Sequence, residues 1–434
     1  MKEIITLSRR ETQRMQVLEQ VVRKSLSLKA GATLMKVCYR QAKRLAARYR
    51  KEGPKGLAHR RRGRAAPNAL GPQIRKRVLT LYREVYSQFN DTHFVEMLEE
   101  REGLRIGRET VRRWLRGAGI RPKRRRRPPR HRSRRPRRPQ IGLLMQWDGS
   151  PHHWFGPQRP AASLLHAADD ATGIVLGALF RPQEDAIGYL RLLDMVLRRH
   201  GVPAAVYQDR HSALFRNDNH WSHEEELAGV RFPTHVGRVL HELGTEPIPS
   251  FSPQGKGRIE RQGGTFQDRL IAEMALANIT EIDQANAWLE AVYLDRFNAR
   301  FAKRPELPGT AFRKINAAQR YQLVSFAYEA TVANDNTVRL GGLIIDLPPG
   351  PRCRSYARCR VLVRQHLDGA WTVWLDGLCI GHHGPTPLRE PFRSRRPHQH
   401  GETRSTRHIL QVYYETTPAP NPGGHFSLAV EGTS

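Results

Sequence analysis

Residues 121–139, RPKRRRRPPRHRSRRPRRP, constrain the chain more than any other stretch. The run is almost wholly Arg, Pro and Lys, so no core can form in it, and its charges repel one another into an extended segment. Folding must therefore happen separately on its two sides, and a 434-residue chain allows about three domains in all. Such an arm attracts polyanions, with an affinity that falls steeply with salt; a passive solvated spacer is the plainer alternative. The whole chain shares the bias, with 73 Lys and Arg against 41 Asp and Glu and a formal net charge of +32. Membranes are polyanionic too, but no stretch approaches the roughly 18 apolar residues of a spanning helix, and MKEIITLSRRETQ has no signal-peptide core. Nucleic acid is thus the expected partner, with no membrane. Cys38, Cys353, Cys359 and Cys379 lack zinc-like spacing and are expected to be reduced core thiols of a cytoplasmic protein.

Before the arm, Ser8 stands three residues ahead of Glu11, a capping pattern, and Met15, Leu18, Val21 and Val22 follow at helical spacing. A short apolar run turns at Lys36 into CYRQAKRLAARYRKEG, helical until Gly53 and Pro54. Three short-linked helices, the last carrying Arg40, Gln41, Lys43, Arg44 and Arg48, fit a helix-turn-helix whose final helix reads the major groove. A basic surface helix on a three-helix bundle fits that segment equally well. The pattern then repeats in outline: Pro72 to Phe89, Thr92 to Glu102 and Arg108 to Ala118, with Val111, Trp114 and Leu115 facing inward and Arg108, Arg112, Arg113 and Arg116 left outside.

After the arm, IGLLMQWDGS reads as a short strand ending in Asp148, followed by strands at Ser163 to Asp169 and Gly173 to Phe180 joined by a tight turn. An amphipathic helix spans Glu184 to His200, PAAVYQD delivers Asp209, a helix covers His235 to Leu243, and GTEPIPSF is a fifth strand. Glu260 then lies on the first turn of another helix. The connections among the first three strands are too short for parallel crossovers, so this part is α/β with a mixed sheet. Helices at Glu281 to Arg300 and Thr310 to Ala327 precede short strands separated by Gly, Pro and Asp-Gly turns, which suggest a small β-barrel.

Cutting a phosphodiester with two metal ions about 4 Å apart requires carboxylates that bridge and flank them, and hard oxygen ligands suit Mg²⁺. Asp148, Asp209 and Glu260 stand at strand or helix ends, where any one of them could equally be a turn or cap residue. Asp169 and Asp170 read as turn formers, and His211 as a structural histidine or a phosphate contact. Lys256, Arg258 and Arg261 flank Glu260 and are assigned to DNA backbone contacts; if the three acids share one site, Lys256 and Arg258 or bound cations should also compensate their mutual repulsion.

Taken together, QWDGSPHHWF, LLHAADDATG, YQDRHSALF and FSPQGKGRIERQGGTFQDRL make residues 141–275 resemble the catalytic core of DDE transposases and retroviral integrases, closest to the bacterial ISNCY-type insertion-sequence transposases. The resemblance implies an RNase H-like core with Asp148, Asp209 and Glu260 as catalytic metal ligands. It also implies two Mg²⁺ ions per site, with Mn²⁺ able to substitute. The implied substrates are double-stranded DNA, the terminal inverted repeats and a target, handled by a homodimer or larger assembly in the bacterial cytoplasm, on the nucleoid when DNA is bound. The separation of the second and third acids, 260 − 209 = 51, exceeds that of many members. The excess is assigned to a polar insertion, RNDNHWSHEEELAGVRFP, which brings in Asp218. The first reader also lacks the usual turn glycine, with Lys36 in its place, and has Cys38 where a hydroxyl cap is common.

The expected organisation is a multidomain chain: a helix-turn-helix over 1–56, a linker 57–71, a second helix-turn-helix 72–120 and the basic linker 121–140. An RNase H-like α/β core covers 141–300, then a helical connector 301–330, a small β-barrel 331–388 and a flexible tail 389–434. Nucleic-acid contacts are expected from Arg40, Gln41, Arg44, Arg112, Arg113, Arg124, Arg125, Lys256, Arg258 and Arg261. Two alternatives stay open: a domesticated DNA-binding regulator that has lost catalysis, and a structure-specific nuclease of the same fold.

Overall fold

The computed structural model describes residues 5–59, 70–123, 128, 135–215, 233–250 and 256–388. Arg124, Arg125, Asp218 and most of the insertion after Asp209 lie outside them. The chain forms two compact units, Met1–Pro128 and Pro129–Ser434.

In the first unit α1 (Arg9–Val22), α2 (Leu28–Leu34) and α3 (Tyr39–Glu52) enclose Leu18, Leu45, Ala46 and Leu57. Glu11 accepts a 2.7 Å bond from the Ser8 backbone N–H and a 2.9 Å bond from that of His59, so one capping carboxylate also fastens the segment after α3. A Cβ on Gly31 would come 3.0 Å from Val21, which is why α2 can cross α1 so closely. Lys36 takes the left-handed conformation (φ 52°) at the turn where a glycine is usual, and Cys38 caps α3 without a side-chain bond. A second set follows: α4 (Pro72–Glu84), α5 (Asp91–Glu100) and α6 (Arg108–Gly117). Helix α4 stops five residues short of Phe89, because Tyr86 turns inward to pack with Phe89 and Phe94, and Asn90 caps α5. Val111 and Leu115 are fully buried and Trp114 is half-buried, as the periodicity of α6 requires.

The second unit is built on a five-stranded sheet of order β3-β2-β1-β4-β5. Its strands are β1 (Met145–His152), β2 (Ala162–Asp169), β3 (Val175–Arg181), β4 (Ala205–Gln208) and β5 (Glu246–Pro249). The first three form an antiparallel meander and β4 and β5 run parallel to β1, giving the expected mixed sheet. Every residue of β2 is buried, because helices cover both faces. On one face α7 (Ala186–Arg199) and α8 (His235–Glu242) pack against Trp147, Leu165 and Val206. The other face receives Phe266 and Leu270 of α9 (Ile259–Leu276), with a helix running from α10 (Ile282–Trp288) through a π-turn into α11 (Leu294–Phe301). Each large side chain fully buried there stabilises the fold by roughly 1.5–3 kcal/mol.

Helix α12 is confined to Ala317–Leu323, shorter than its periodicity suggests, because Val324 and Phe326 enter the core as the chain becomes β6 (Ser325–Thr331). The remaining strands are β7 (Thr337–Leu340), β8 (Leu343–Asp346), β9 (Arg360–His366), β10 (Trp371–Leu375) and β11 (Leu378–His383). They make an open sheet of order β11-β10-β9-β6 and a separate β7-β8 hairpin, so the expected barrel is not closed. Hairpin and sheet share one core through Val338, Ile345, Val363 and Trp371. The cysteines are not core thiols: Cys38, Cys353 and Cys379 are exposed and Cys359 is half-buried, all of them free.

Candidate active site

Asp148 lies within β1 rather than at its end, and its register partner on β2 is the fully buried His166. On its other side β1 pairs with β4, Met145 opposite Val206 and Gln146 opposite Tyr207. Asp148 lies two residues beyond that pairing and Asp209 directly follows Gln208, the last residue of β4. Both reach one cation. The Lys256 ammonium donates to Asp148 Oδ1 at 2.7 Å and to Asp209 Oδ2 at 3.0 Å, and the residue is only 7% exposed. Burial alone would lower the Lys256 pKa, but Asp148 and then Asp209 outweigh it and leave the pKa above its ordinary value. Lys256 is thus turned inward onto the acids rather than outward.

Glu260 occupies the first turn of α9, as its sequence position implies, and α9 packs beside β1. Its side chain is exposed, and no hydrogen bond or ion pair ties it to another described residue. Among the described residues no three acids, histidines or cysteines form a metal-holding group. The structure therefore joins two of the three expected ligands and leaves the third on the adjoining helix turn. Like charges gain nothing by converging without a cation between them.

A fourth carboxylate, Glu184, was not singled out from the sequence. It precedes α7, and a Cβ on Gly149 would come 2.1 Å from its Oε2, so this acid rests on the backbone next to Asp148. Tyr189 donates to Glu184 Oε1 at 2.5 Å, and His211 Nδ1 lies 3.8 Å from the same oxygen. Burial raises the Glu184 pKa, the Tyr189 hydrogen bond and His211 oppose it, and the charges of Asp209 and Asp148 add to it. Burial also raises the Tyr189 pKa and lowers that of His166. The adjoining glycine in Asp148-Gly149 was the available sequence signal for a group packed on the strand.

Asp170 does more than shape a turn. Its side chain is fully buried and accepts from Arg258 at 2.5 Å, Arg135 at 2.6 Å, Gln146 at 2.8 Å and the Arg138 backbone N–H at 2.8 Å. Arg137 donates to the carbonyls of Asp170 and Ala171. The end of the basic arm is therefore docked on the core, and Arg258 is engaged there. Asp169 does form the turn, accepting from the Thr172 N–H and hydroxyl and from the Gly142 N–H. Arg261 is exposed and makes no ion pair with a described residue.

In the first unit Arg40 and Arg44 are exposed on α3 and Gln41 is half-buried beside them. Arg113 is exposed, and Arg112, also exposed, pairs with Glu109 at 2.8 Å. Arg116 is not free, since it is bound to Asp91 at 2.5 Å.

A homeodomain-like family matches residues 41–115, and a helix-turn-helix family matches residues 13–65. A Sinorhizobium fredii protein designated transposase y4bF is 35% identical over 315 residues, covering 73% of this chain and 67% of its own length. The chain belongs to a transposase family. A second relative of this transposase, the transposase for insertion sequence IS1202 of Streptococcus pneumoniae, is 27% identical, with 83% of each chain covered. Among solved structures, the HTLV-2 integrase catalytic core covers 35% of the transposase and 86% of its own chain at 14% identity and a TM-score of 0.24. No described helix is long and apolar enough to cross a membrane.

Proposed function

We propose that this transposase binds the terminal inverted repeats of its element through the two helix-turn-helix units and cuts and joins DNA strands at Asp148, Asp209 and Glu260. The observation that carries the proposal is the sharing of one cation by Asp148 and Asp209 from neighbouring parallel strands. Carboxylates so placed suit a hard divalent ion, and the Lys256 ammonium already stands where positive charge is needed. Asp148 and Asp209 would hold Mg²⁺ or Mn²⁺, with Glu260 completing the set for two ions. The chemistry that such ions would supply there is activation of an attacking oxygen and stabilisation of the leaving one. Lys256 bridges the two aspartates, Gly149 admits Glu184 beside them, and His166 stands across from Asp148 on β2. Arg40, Gln41 and Arg44 on α3 and Arg112 and Arg113 on α6 face the DNA, and an assembly of at least two chains holds paired ends and target. The domain limits given above, with the core at 141–300, are part of this proposal.

The test is cleavage of a duplex carrying the element's terminal repeat, using the full chain with Mg²⁺. Asp148→Asn, Asp209→Asn and Glu260→Gln should each bind that duplex normally and lose cleavage by orders of magnitude. A Glu260→Gln chain cutting at near-normal rate would remove Glu260 from the site. Lys256→Met should bind Mn²⁺ more tightly without DNA, read by electron paramagnetic resonance; unchanged affinity would mean that the lysine does not stand in for metal.

A further inference from the structure

At the start of α9, beside the aspartates but distinct from them, lies a cavity of about 250 Å³ whose wall includes Arg137, Arg258, Arg261 and Lys303. The acids lining it are Asp169 and Asp170, and their oxygens are already engaged. Asp169 is held by Gly142 and Thr172, and Asp170 by Arg135, Arg258, Arg138 and Gln146. Positive charge is in surplus. Among the described residues Arg137 has only backbone carbonyls as hydrogen-bond partners, and Arg261 and Lys303 make no ion pair. Burial lowers the Arg137 pKa and the charge of Arg258 lowers it further, with Asp170 opposing, as expected of cations crowded without a sufficient counter-charge. Gln146 is 2% exposed and lines the same cavity, and its Oε1 has no partner, which suits a water carried in with a hydrated anion.

We propose that this cavity seats one backbone phosphate of the DNA strand processed at the adjacent aspartates, bound by Arg137, Arg261 and Lys303. Guanidinium groups bind phosphate oxygens in paired fashion, and the ammonium adds a point charge. The ligand is a phosphodiester of DNA rather than a free phosphate ester because the cavity opens on the helix that bears Glu260, in a chain of net charge +32. The docked arm supplies Arg137, so the end of the basic linker becomes part of the core's DNA path. This inference rests on the functional proposal above.

The test uses the full chain and an end duplex in which one phosphate at a time is replaced by a neutral methylphosphonate. With the wild type, one position should weaken binding about tenfold. With Arg261→Ala/Lys303→Ala that position should cost nothing further, and the slope of log affinity against log salt should become shallower by about one. Wild-type binding with no coupled position overturns the phosphate seat and leaves the functional proposal standing. A wild type that binds no duplex overturns both. If inorganic phosphate or a mononucleotide raises the wild-type thermal midpoint but not that of the variant, and no position couples, the cavity belongs to a small phosphate ester and the DNA assignment is wrong.

Discussion

Two groups of acids lie at the start of α9, and their surroundings are opposite. Asp170 is fully buried and meets two guanidiniums, an amide and a backbone N–H, with no exposure left for a ligand. Asp148 and Asp209 retain 17% and 39% side-chain exposure and share one lysine between two carboxylates. The first arrangement is permanent compensation, in which the charge is fixed by rigid planar donors and its loss would strand its partners. The second is under-compensated, with the flexible stem of Lys256 supplying the one cation that pairs with them among the described residues, and so can exchange it. The contrast teaches that the number of donors per oxygen, more than burial, separates a structural acid from one available for chemistry.

The sharpest way to break this contrast is to neutralise one acid from each group. Asp148→Asn should abolish cleavage while leaving the urea midpoint unchanged or slightly raised; a large loss of stability would make Asp148 structural like Asp170. Asp170→Ala should do the reverse first, costing about 3–5 kcal/mol in urea unfolding by leaving Arg135 and Arg258 without a counter-charge. A cost below about 1 kcal/mol would show the Asp170 network to be loose. Acid titration can blur the comparison, because His235 is held neutral, its pKa lowered to about 4 by burial and then by Arg238. A depressed histidine contributes stability that is complete above about 6.5 and is lost as pH falls toward about 4, up to about 3 kcal/mol in all. His235→Phe, which keeps a ring against Phe326 and Tyr328, should flatten stability over that window; an unchanged profile would assign the acid loss to the carboxylates. The smallest effect concerns the strand backbone. Gly149→Ala should cost about 1–3 kcal/mol through its clash with Glu184, and Glu184→Ala should relieve most of that cost. A double-mutant cycle with no coupling would separate Glu184 from the aspartates.

Much of this was legible in the sequence. The meander, the strands that carry or lead to Asp148 and Asp209 and the placement of Glu260 on a first helical turn follow from apolar runs and turn residues, which act locally, although β1 runs on past Asp148 to His152. So do the caps of α1 and the alternation of inner and outer residues on α6. What stayed hidden depends on contacts between distant segments. Lys256 is expected as a counter-charge once the acids are given a common site, but which two acids it meets depends on β1 and β4 bringing Asp148 and Asp209 together. Arg258 reads as free until Asp170, 88 residues away, is folded beneath it. Helix α12 ends early because Phe326 is drawn into the core, a packing effect that helical periodicity cannot register. Turn chemistry suggested the C-terminal strands but gave no means of telling an open sheet from a closed barrel.

The docking of Arg135 on Asp170, and of Arg137 on the carbonyls of Asp170 and Ala171, also makes this end of the arm a possession of the second unit. A protease cut ahead of Arg135 would leave both guanidiniums attached to that unit, and their charge would travel with it.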